Sequence, residues 1–239
     1  SGSDTVMGDN GEISYDAGVI TDLQSTATNQ GGDDNITALG GDNTVVGGFG
    51  SDTITTASGM DVVLGDSGEL SYVDGDLAHA ASTSASLGGV DTIAVGEGDN
   101  IVIAGQGADV VTTGSGSDTV IGDSGEINYD LNGVITDLQS TAADQGGDDS
   151  ITTLGGDNTI VGGFGGDTIT TTNGNDAILG DNAVIEYVDG NAVRLSSNDE
   201  EVATTGRDII NAGAGDNRIL AGLSNDDVTT LDGTDVVLG

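Results

Sequence analysis

The chain repeats a short pattern every nine residues, Gly-x-Asp-x-(Ile/Val), in which Asn sometimes replaces Asp. Four consecutive copies end at Ile36, Val45, Ile54 and Val63, and a lone copy before them ends at Val6. Seventeen copies align along the 239 residues, and the last position of each is always Ile or Val. A fixed period of this kind is typical of stacked units, each of which buries its apolar side chain only when neighbours cover it. The pattern therefore predicts a solenoid.

Each nine-residue copy, here called a rung, has the residues of a tight turn followed by those of a short strand. Ile and Val favour strands, and Gly followed by Asp or Asn favours turns. The residue two positions before the acid or amide is glycine in sixteen rungs, and Ser224 is the exception. We expect a positive φ at this position, because the turn needs it to aim its carbonyls inward.

A longer period of about 57 residues is superimposed on the rungs. It is visible in Gly8–Tyr15, Gly65–Tyr72, Gly122–Tyr129 and the looser copy Gly180–Tyr187. We interpret residues 1–239 as one elongated domain of four superunits, each with four rungs and one insert, and expect it to be a fragment of a longer array. The inserts lie near residues 10–30, 67–87, 124–145 and 182–204.

The inserts have the pattern of β-hairpins. In the first, Glu12–Tyr15 alternates polar and apolar residues, Asp16–Gly18 favours a turn, and Val19–Leu23 can form the returning strand. The second insert continues into the Ala- and Ser-rich segment Ala78–Ser86, which we expect to be mobile, with His79 as a solvated loop residue.

The composition indicates a bound cation. With 41 acidic residues, three arginines and no lysine, the net charge is -38, which would cause strong self-repulsion in a compact fold. High net charge with low hydrophobicity is also typical of disorder, but the unbroken Ile/Val column argues against disorder once the charge is neutralised. The absence of cysteine excludes disulfides and thiolate sites. We expect no nucleic-acid partner and no membrane insertion.

The turns offer hard oxygen donors, which are the ligands that calcium prefers. One turn offers too few of them, but turns of successive coils lie about 4.8 Å apart and can hold an ion between them. The amides should bind more weakly than the carboxylates, because they carry no charge. The candidate Ca²⁺ ligands are Asp4, Asp34, Asp52, Asp61, Asp91, Asp109, Asp118, Asp149, Asp167, Asp176, Asp208, Asp226 and Asp235, with weaker positions at Asn43, Asn100, Asn158 and Asn217.

Two rungs, Gly47–Thr55 and Gly162–Thr170, match G-G-x-G-x-D-x-U-x at every position. In this pattern the chain resembles the RTX family of calcium-binding repeats. The resemblance covers all seventeen rungs but not the inserts, and most rungs lack the opening Gly-Gly pair. It implies an all-β fold, a parallel β-roll (β-solenoid) with two rungs per coil that folds as calcium binds after export in secreted bacterial proteins. With two rungs per coil, one edge of the roll is all Asp, and the other alternates Asn and Asp.

The residue after each Ile/Val differs between the two sides of the roll. On rungs two and four it is apolar, which would leave an exposed stripe unless the inserts or another chain cover it. This apolar stripe consists of Met7, Val46, Leu64, Ile103, Ile121, Val161, Leu179, Leu220 and Leu238. On rungs one and three it is mainly threonine, a common residue on exposed strands and also reminiscent of ice-binding solenoids. These are Thr37, Thr55, Thr112, Thr152, Thr170 and Thr229.

An enzyme is not expected, since the chain has one histidine, no cysteine, no lysine, and neither an HExxH nor a GxSxG motif. The predicted function is a calcium-binding spacer or filament subunit in a large secreted or cell-surface bacterial protein, such as an adhesin. The alternative is a module whose lateral face binds another copy of the chain, a glycan or ice.

Overall fold

The computed structural model of the chain describes residues 2–198 and 206–239, which form twenty-five strands arranged in three sheets. Each of the seventeen rungs supplies one strand to one of two parallel sheets, and the inserts supply the third, antiparallel sheet. This architecture confirms the predicted all-β parallel β-roll. The described part of the chain has no helix long and apolar enough to cross a membrane.

The first parallel sheet lies between the other two and is called the middle sheet. It is built from the fourth rung of one block followed alternately by the second and fourth rungs of the later blocks. In spatial order its strands are β1 (Thr5–Met7), β5 (Thr44–Gly48), β7 (Val62–Asp66), β11 (Ile101–Ile103), β13 (Thr119–Ile121), β17 (Thr159–Gly163), β19 (Ala177–Asp181), β23 (Arg218–Leu220) and β25 (Val236–Leu238).

The second parallel sheet, called the outer sheet, contains the first and third rungs. Its strands in spatial order are β4 (Asn35–Ala38), β6 (Thr53–Thr56), β10 (Thr92–Ala94), β12 (Val110–Ser115), β16 (Ser150–Gly155), β18 (Thr168–Thr171), β22 (Ile209–Ala212) and β24 (Asp227–Thr230). Successive rungs thus alternate between the two sheets, and two rungs complete one coil.

The Ile/Val column forms the core between the middle and outer sheets. Pairing keeps the column in exact register, so that Ile54 lies beside Ile93 and Ile93 beside Val111. From Val45 to Ile219 these side chains are almost completely buried. Only the Ile/Val side chains at the two ends of the roll are more exposed to solvent. The column therefore contributes the apolar burial that no single rung could provide.

The inserts form hairpins, and the hairpins pair with one another into the third sheet, called the hairpin sheet. Leu23 of the first hairpin pairs with Leu70 of the second, and Ala80 of the second pairs with Ile127 of the third. The strands in order are β2 (Gly11–Asp16), β3 (Val19–Ser25), β8 (Gly68–Val73), β9 (Asp76–Ser82), β14 (Gly125–Tyr129), β15 (Ile135–Ser140), β20 (Ala183–Val188) and β21 (Asn191–Ser197). Residues 199–204 of the fourth insert lie outside the described residues.

The hairpin sheet covers the apolar stripe of the middle sheet. Val46, Leu64, Ile103 and Ile121 are at most 1 % exposed and pack against the inward side chains of the hairpins, among them Leu70. The chain therefore covers most of its own stripe, which leaves a second chain little access to it. At the last coil, by contrast, Leu238 is 60 % exposed.

Two expectations about the second insert were wrong. Ala78–Ser82 is not a mobile segment, because it belongs to β9, where Ala80 is completely buried. His79 is not a solvated loop residue either: its Nδ1 lies 2.9 Å from Oδ1 of Asn128, and its Nε2 lies 3.7 Å from Oε1 of Glu69. The Ala/Ser composition conceals a strand because small side chains fit the face that packs on the roll.

The expectation of positive φ at the turn glycine holds only in part. It is met in most rungs, for example at Gly59, where φ is +133° and an added Cβ would lie 2.2 Å from the carbonyl oxygen of Gly41 in the neighbouring coil. In the first rung of each of the first three blocks the chain arrives from an insert, and the glycine has no such φ; these are Gly32, Gly89 and Gly147. Ser224 adopts φ +124° without being glycine.

Candidate metal centre at the two turn edges

The turn residues line the two long edges of the roll. The edge before the outer sheet, called the aspartate edge, carries Asp34, Asp52, Asp91, Asp109, Asp149, Asp167, Asp208 and Asp226. The edge before the middle sheet, called the mixed edge, carries Asp4, Asn43, Asp61, Asn100, Asp118, Asn158, Asp176, Asn217 and Asp235. The structure thus brings all seventeen candidate ligands onto two rows, and all but the four at the ends of these rows are at most 2 % exposed.

On the aspartate edge, each carboxylate after Asp34 accepts a hydrogen bond from the preceding coil. The backbone N–H of Asp52 donates to Oδ1 of Asp91 at 2.7 Å, and that of Asp91 donates to Oδ1 of Asp109 at 2.7 Å. The same bond continues to Asp149 and Asp167. One oxygen of each of these carboxylates is therefore satisfied, and this series of bonds fixes the orientation of the other oxygen.

The other oxygen, Oδ2, is buried and accepts no hydrogen bond from the protein at most of these positions. On the aspartate edge this is true of Asp34, Asp52, Asp91, Asp109, Asp149 and Asp167, and on the mixed edge of Asp61. The carboxyl groups of Asp118 and Asp176 on the mixed edge also have the hydroxyls of Thr113 and Thr171 as hydrogen-bond partners. A buried carboxylate oxygen without a donor is unfavourable unless it is protonated or bound by a cation.

Burial raises the pKa of several of these carboxyl groups. The pKa of Asp91 rises from 3.8 to about 8, chiefly through burial, with added repulsion from Asp109 and Asp52. Burial also raises the pKa of Asp109 to about 7 and that of Asp52 to about 6. On the mixed edge burial raises the pKa of Asp118, and hydrogen bonds, including those from Asn100, oppose the rise. Without a cation, the aspartate edge would therefore hold several protons near neutral pH.

The residues fit calcium as a set of hard oxygen donors. Among the described residues, no three acidic or histidine side chains converge closely enough to hold a metal by themselves. Carboxylates of adjacent coils would therefore hold the ion together with glycine carbonyls of the turns, and such mixed oxygen coordination is usual for calcium.

A second row of structural carboxylates, not predicted from the sequence, lies at the point where the inserts leave the roll. Asp66 accepts hydrogen bonds from the backbone N–H of Gly89 at 3.2 Å and of Gln106 at 2.5 Å, and so ties the returning chain to the next coil. Burial raises its pKa to about 9. Asp123 is bonded in the same way, and Asp9 accepts from the N–H of Phe49. The Gly-Asp that opens each copy of the 57-residue repeat was the available signal.

The rungs also match a known family model. Four copies of the RTX calcium-binding nonapeptide repeat match the chain, at residues 29–63, 87–125, 144–178 and 202–237. The chain belongs to this family. The matches span more than half of the chain and fall on the four rung blocks, whereas most of each hairpin lies outside them. Searches of curated proteins and of solved structures found no match.

Membership in the RTX family gives the turn edges a chemical identity, since the matched nonapeptide is a calcium-binding structural repeat. Several repeats imply several sites. The family description concerns the rungs alone and does not address the hairpins, the asparagines of the mixed edge, or the carboxylates at the insert junctions.

Proposed function

We propose that this chain is a calcium-stiffened segment of a large secreted or cell-surface bacterial protein, where it acts as a spacer or filament subunit without enzymatic activity. The observation that carries the proposal is the row of buried Oδ2 atoms on the aspartate edge that accept no hydrogen bond from the protein. Calcium between adjacent coils would neutralise these oxygens and join each coil to the next. The specific positions proposed to bind it are the aspartates of both edges.

The place of folding follows from the affinity of such sites. Extracellular calcium modules bind with Kd values of about 10⁻⁴ to 10⁻³ M. A net charge of -38 keeps the chain expanded where calcium is scarce. The chain would then fold where calcium is plentiful, which is outside the cell.

The proposed mechanical role rests on how the layers run. All three sheets extend along the same axis, and the nine strands of the middle sheet span about 38 Å at about 4.8 Å per strand. Ions held between coils would add cross-links to the backbone hydrogen bonds along this axis. The segment would therefore be short for its mass but stiff.

A second candidate function is supported by the exposed face of the outer sheet. Thr37 pairs with Thr55, and Thr112 with Thr152 and then Thr170, so that these side chains form rows along the axis. The hairpin sheet lies on the other side of the roll. This face is the surface we would assign to lateral binding of a glycan, ice or another copy, in preference to the apolar stripe.

Calcium binding and rigidity can be tested together. Calcium should raise the strand signal in circular dichroism, reduce the radius of gyration in small-angle X-ray scattering, and bind at several sites in calorimetry. Asp167→Ala should lower the number of bound ions, whereas Asp144→Ala removes an exposed charge from the third insert and should not. A chain that stays fully folded and equally compact near pH 8 after calcium is stripped would refute the proposal.

A further inference from the structure

The four asparagines of the mixed edge share one hydrogen-bond arrangement. The side-chain nitrogen of Asn43, Nδ2, donates to the carbonyl oxygen of Gly41 at 2.7 Å and to Oδ1 of Asp61 in the next coil at 2.8 Å. Asn100 repeats this with Gly98 at 2.8 Å and Asp118 at 3.0 Å. The other two do the same, Asn158 with Gly156 and Asp176, and Asn217 with Gly215 and Asp235.

The orientation of each amide is fixed by the hydrogen bond to its side-chain oxygen, Oδ1. Oδ1 of Asn43 accepts the backbone N–H of Asp4 at 3.1 Å, and Oδ1 of Asn100 accepts that of Asp61 at 3.0 Å. Reversing the amide would place an NH₂ group against this N–H. Only the observed orientation therefore gives hydrogen-bond partners to both Oδ1 and Nδ2. The NH₂ group must therefore face the turn carbonyl and the carboxylate of the next coil.

The aspartate edge places an oxygen where the mixed edge places this nitrogen. In Asp109, Oδ1 accepts the N–H of Asp91 from the preceding coil, and Oδ2 is the arm without a partner. The N–H of Asp109 in turn donates to Oδ1 of Asp149 in the next coil. The atom that donates in asparagine, Nδ2, is thus replaced in aspartate by an acceptor, Oδ2, which faces other acceptors. The gap between this turn and the turn of the next coil therefore needs a cation or a proton. The corresponding gap after asparagine is already closed by N–H donors.

The residue before each asparagine adds a second link between the two coils that requires no ion. In all four asparagine rungs the preceding residue is aspartate. Oδ1 of Asp42 accepts the N–H of Met60 at 2.9 Å, and Oδ1 of Asp99 accepts that of Ser117 at 2.8 Å. The gap after each asparagine is therefore bridged at two successive residues.

We propose that Asn43, Asn100, Asn158 and Asn217 substitute for calcium instead of binding it, each with its amide nitrogen in the cation's place. The inference rests on the proposed calcium-binding function and specifies where along the edges the ions lie. On the mixed edge, ion-free gaps after asparagine alternate with calcium gaps after Asp61, Asp118 and Asp176. A 57-residue superunit would then bind about three ions instead of about four, if each remaining gap takes one.

Reciprocal substitutions test this assignment. Asn100→Asp should bind about one more calcium ion per chain and melt at a lower temperature after calcium is stripped. Asp109→Asn should bind about one ion fewer and melt at a higher temperature in the stripped state. Asn35→Asp is the matched control, because it adds the same charge on the outer sheet, at a position where a later rung already has an aspartate, Asp227. This control should leave the ion count unchanged. Bound calcium is counted by elemental analysis after equilibrium dialysis.

Asn100→Ala distinguishes two possibilities: that Asn100 takes the place of a calcium ion, or that it binds one weakly. If Asn100 were a calcium ligand, its loss would lower the ion count, and the proposal would be overturned; we expect the count to stay the same. An unchanged count in both Asn100→Asp and Asp109→Asn would also overturn it. If Asn100→Asp fails to fold even in calcium, Asp109→Asn decides the matter. A parent chain that binds no calcium would instead refute the proposed function itself.

Discussion

The buried aspartates predict that acid should stabilise the calcium-free chain. In the folded chain burial raises the pKa of Asp91 from 3.8 to about 8, and this side chain is completely buried. Between these pH values the folded chain keeps a proton that the unfolded chain has lost, so the stability of the fold decreases as the pH rises. The contribution is fully present below about pH 3.8 and lost as the pH passes about 8.

The size of this effect decides whether the calcium-free fold survives. Raising one pKa from 3.8 to about 8 corresponds to about 6 kcal/mol, which is comparable with the total stability of many domains, about 5–15 kcal/mol. Burial raises the pKa of Asp66 and of Asp109 as well, in the same direction. We therefore expect the stripped chain to be largely unfolded near pH 8 and to regain strand structure near pH 5.

Thermal melts followed by circular dichroism measure this dependence in chain stripped of calcium on a chelating resin. The acid sample is kept near pH 5, since the isoelectric point is about 4.1. Saturating calcium is the control and should abolish the loss of stability at high pH, because the carboxylates are then ionised and bound. Asp91→Asn removes one titrating group and should raise the melting temperature near pH 8. A stripped chain that melts equally at both pH values would refute the reasoning.

Four further substitutions test other parts of the structure by chemical denaturation in calcium. The hydroxyl of Tyr129 is buried without a partner, whereas that of Tyr72 lies 3.0 Å from Oγ1 of Thr44. Tyr129→Phe should thus be neutral or stabilising and Tyr72→Phe destabilising by about 1 kcal/mol; equal effects would contradict this. Ser224→Gly should stabilise by about 1 kcal/mol by relieving φ +124°, and a loss of stability would show that the hydroxyl bonds of Ser224 to Gly206 and Asp226 outweigh the strain. Ile103→Ala should cost about 2–5 kcal/mol, and a smaller cost would indicate a loose hairpin sheet.

The parallel sheets could be predicted because their information is local and repeated. Every rung carries its turn and its Ile/Val within nine residues, so the register of Ile54 with Ile93 follows from counting. The strand at Ala78–Ser82 could not be recognised in this way, because alanine and serine favour strands weakly and are explained only by the coil beneath them.

The sequence was enough to predict the two rows of candidate ligands. It was not enough to predict which gaps between adjacent turns hold an ion. Sequence spacing placed the aspartates and asparagines on two edges. It could not show which arm of Asn100 faces the next coil, since that depends on the backbone N–H of Asp61, 39 residues away. The role of Asp66 was hidden for the same reason, because its partners Gly89 and Gln106 come from two later segments.

The two periods of the chain are linked by the geometry of strands. Four rungs add two strands to the middle sheet and two to the outer sheet, and one hairpin adds two strands to the hairpin sheet. All three layers therefore advance by about 9.6 Å per superunit, at about 4.8 Å per strand. Inserts after every two rungs would crowd the hairpins, and inserts after every six would leave unpaired strand edges above the apolar stripe. A hairpin after every fourth rung is the spacing at which the third sheet can continue along the roll.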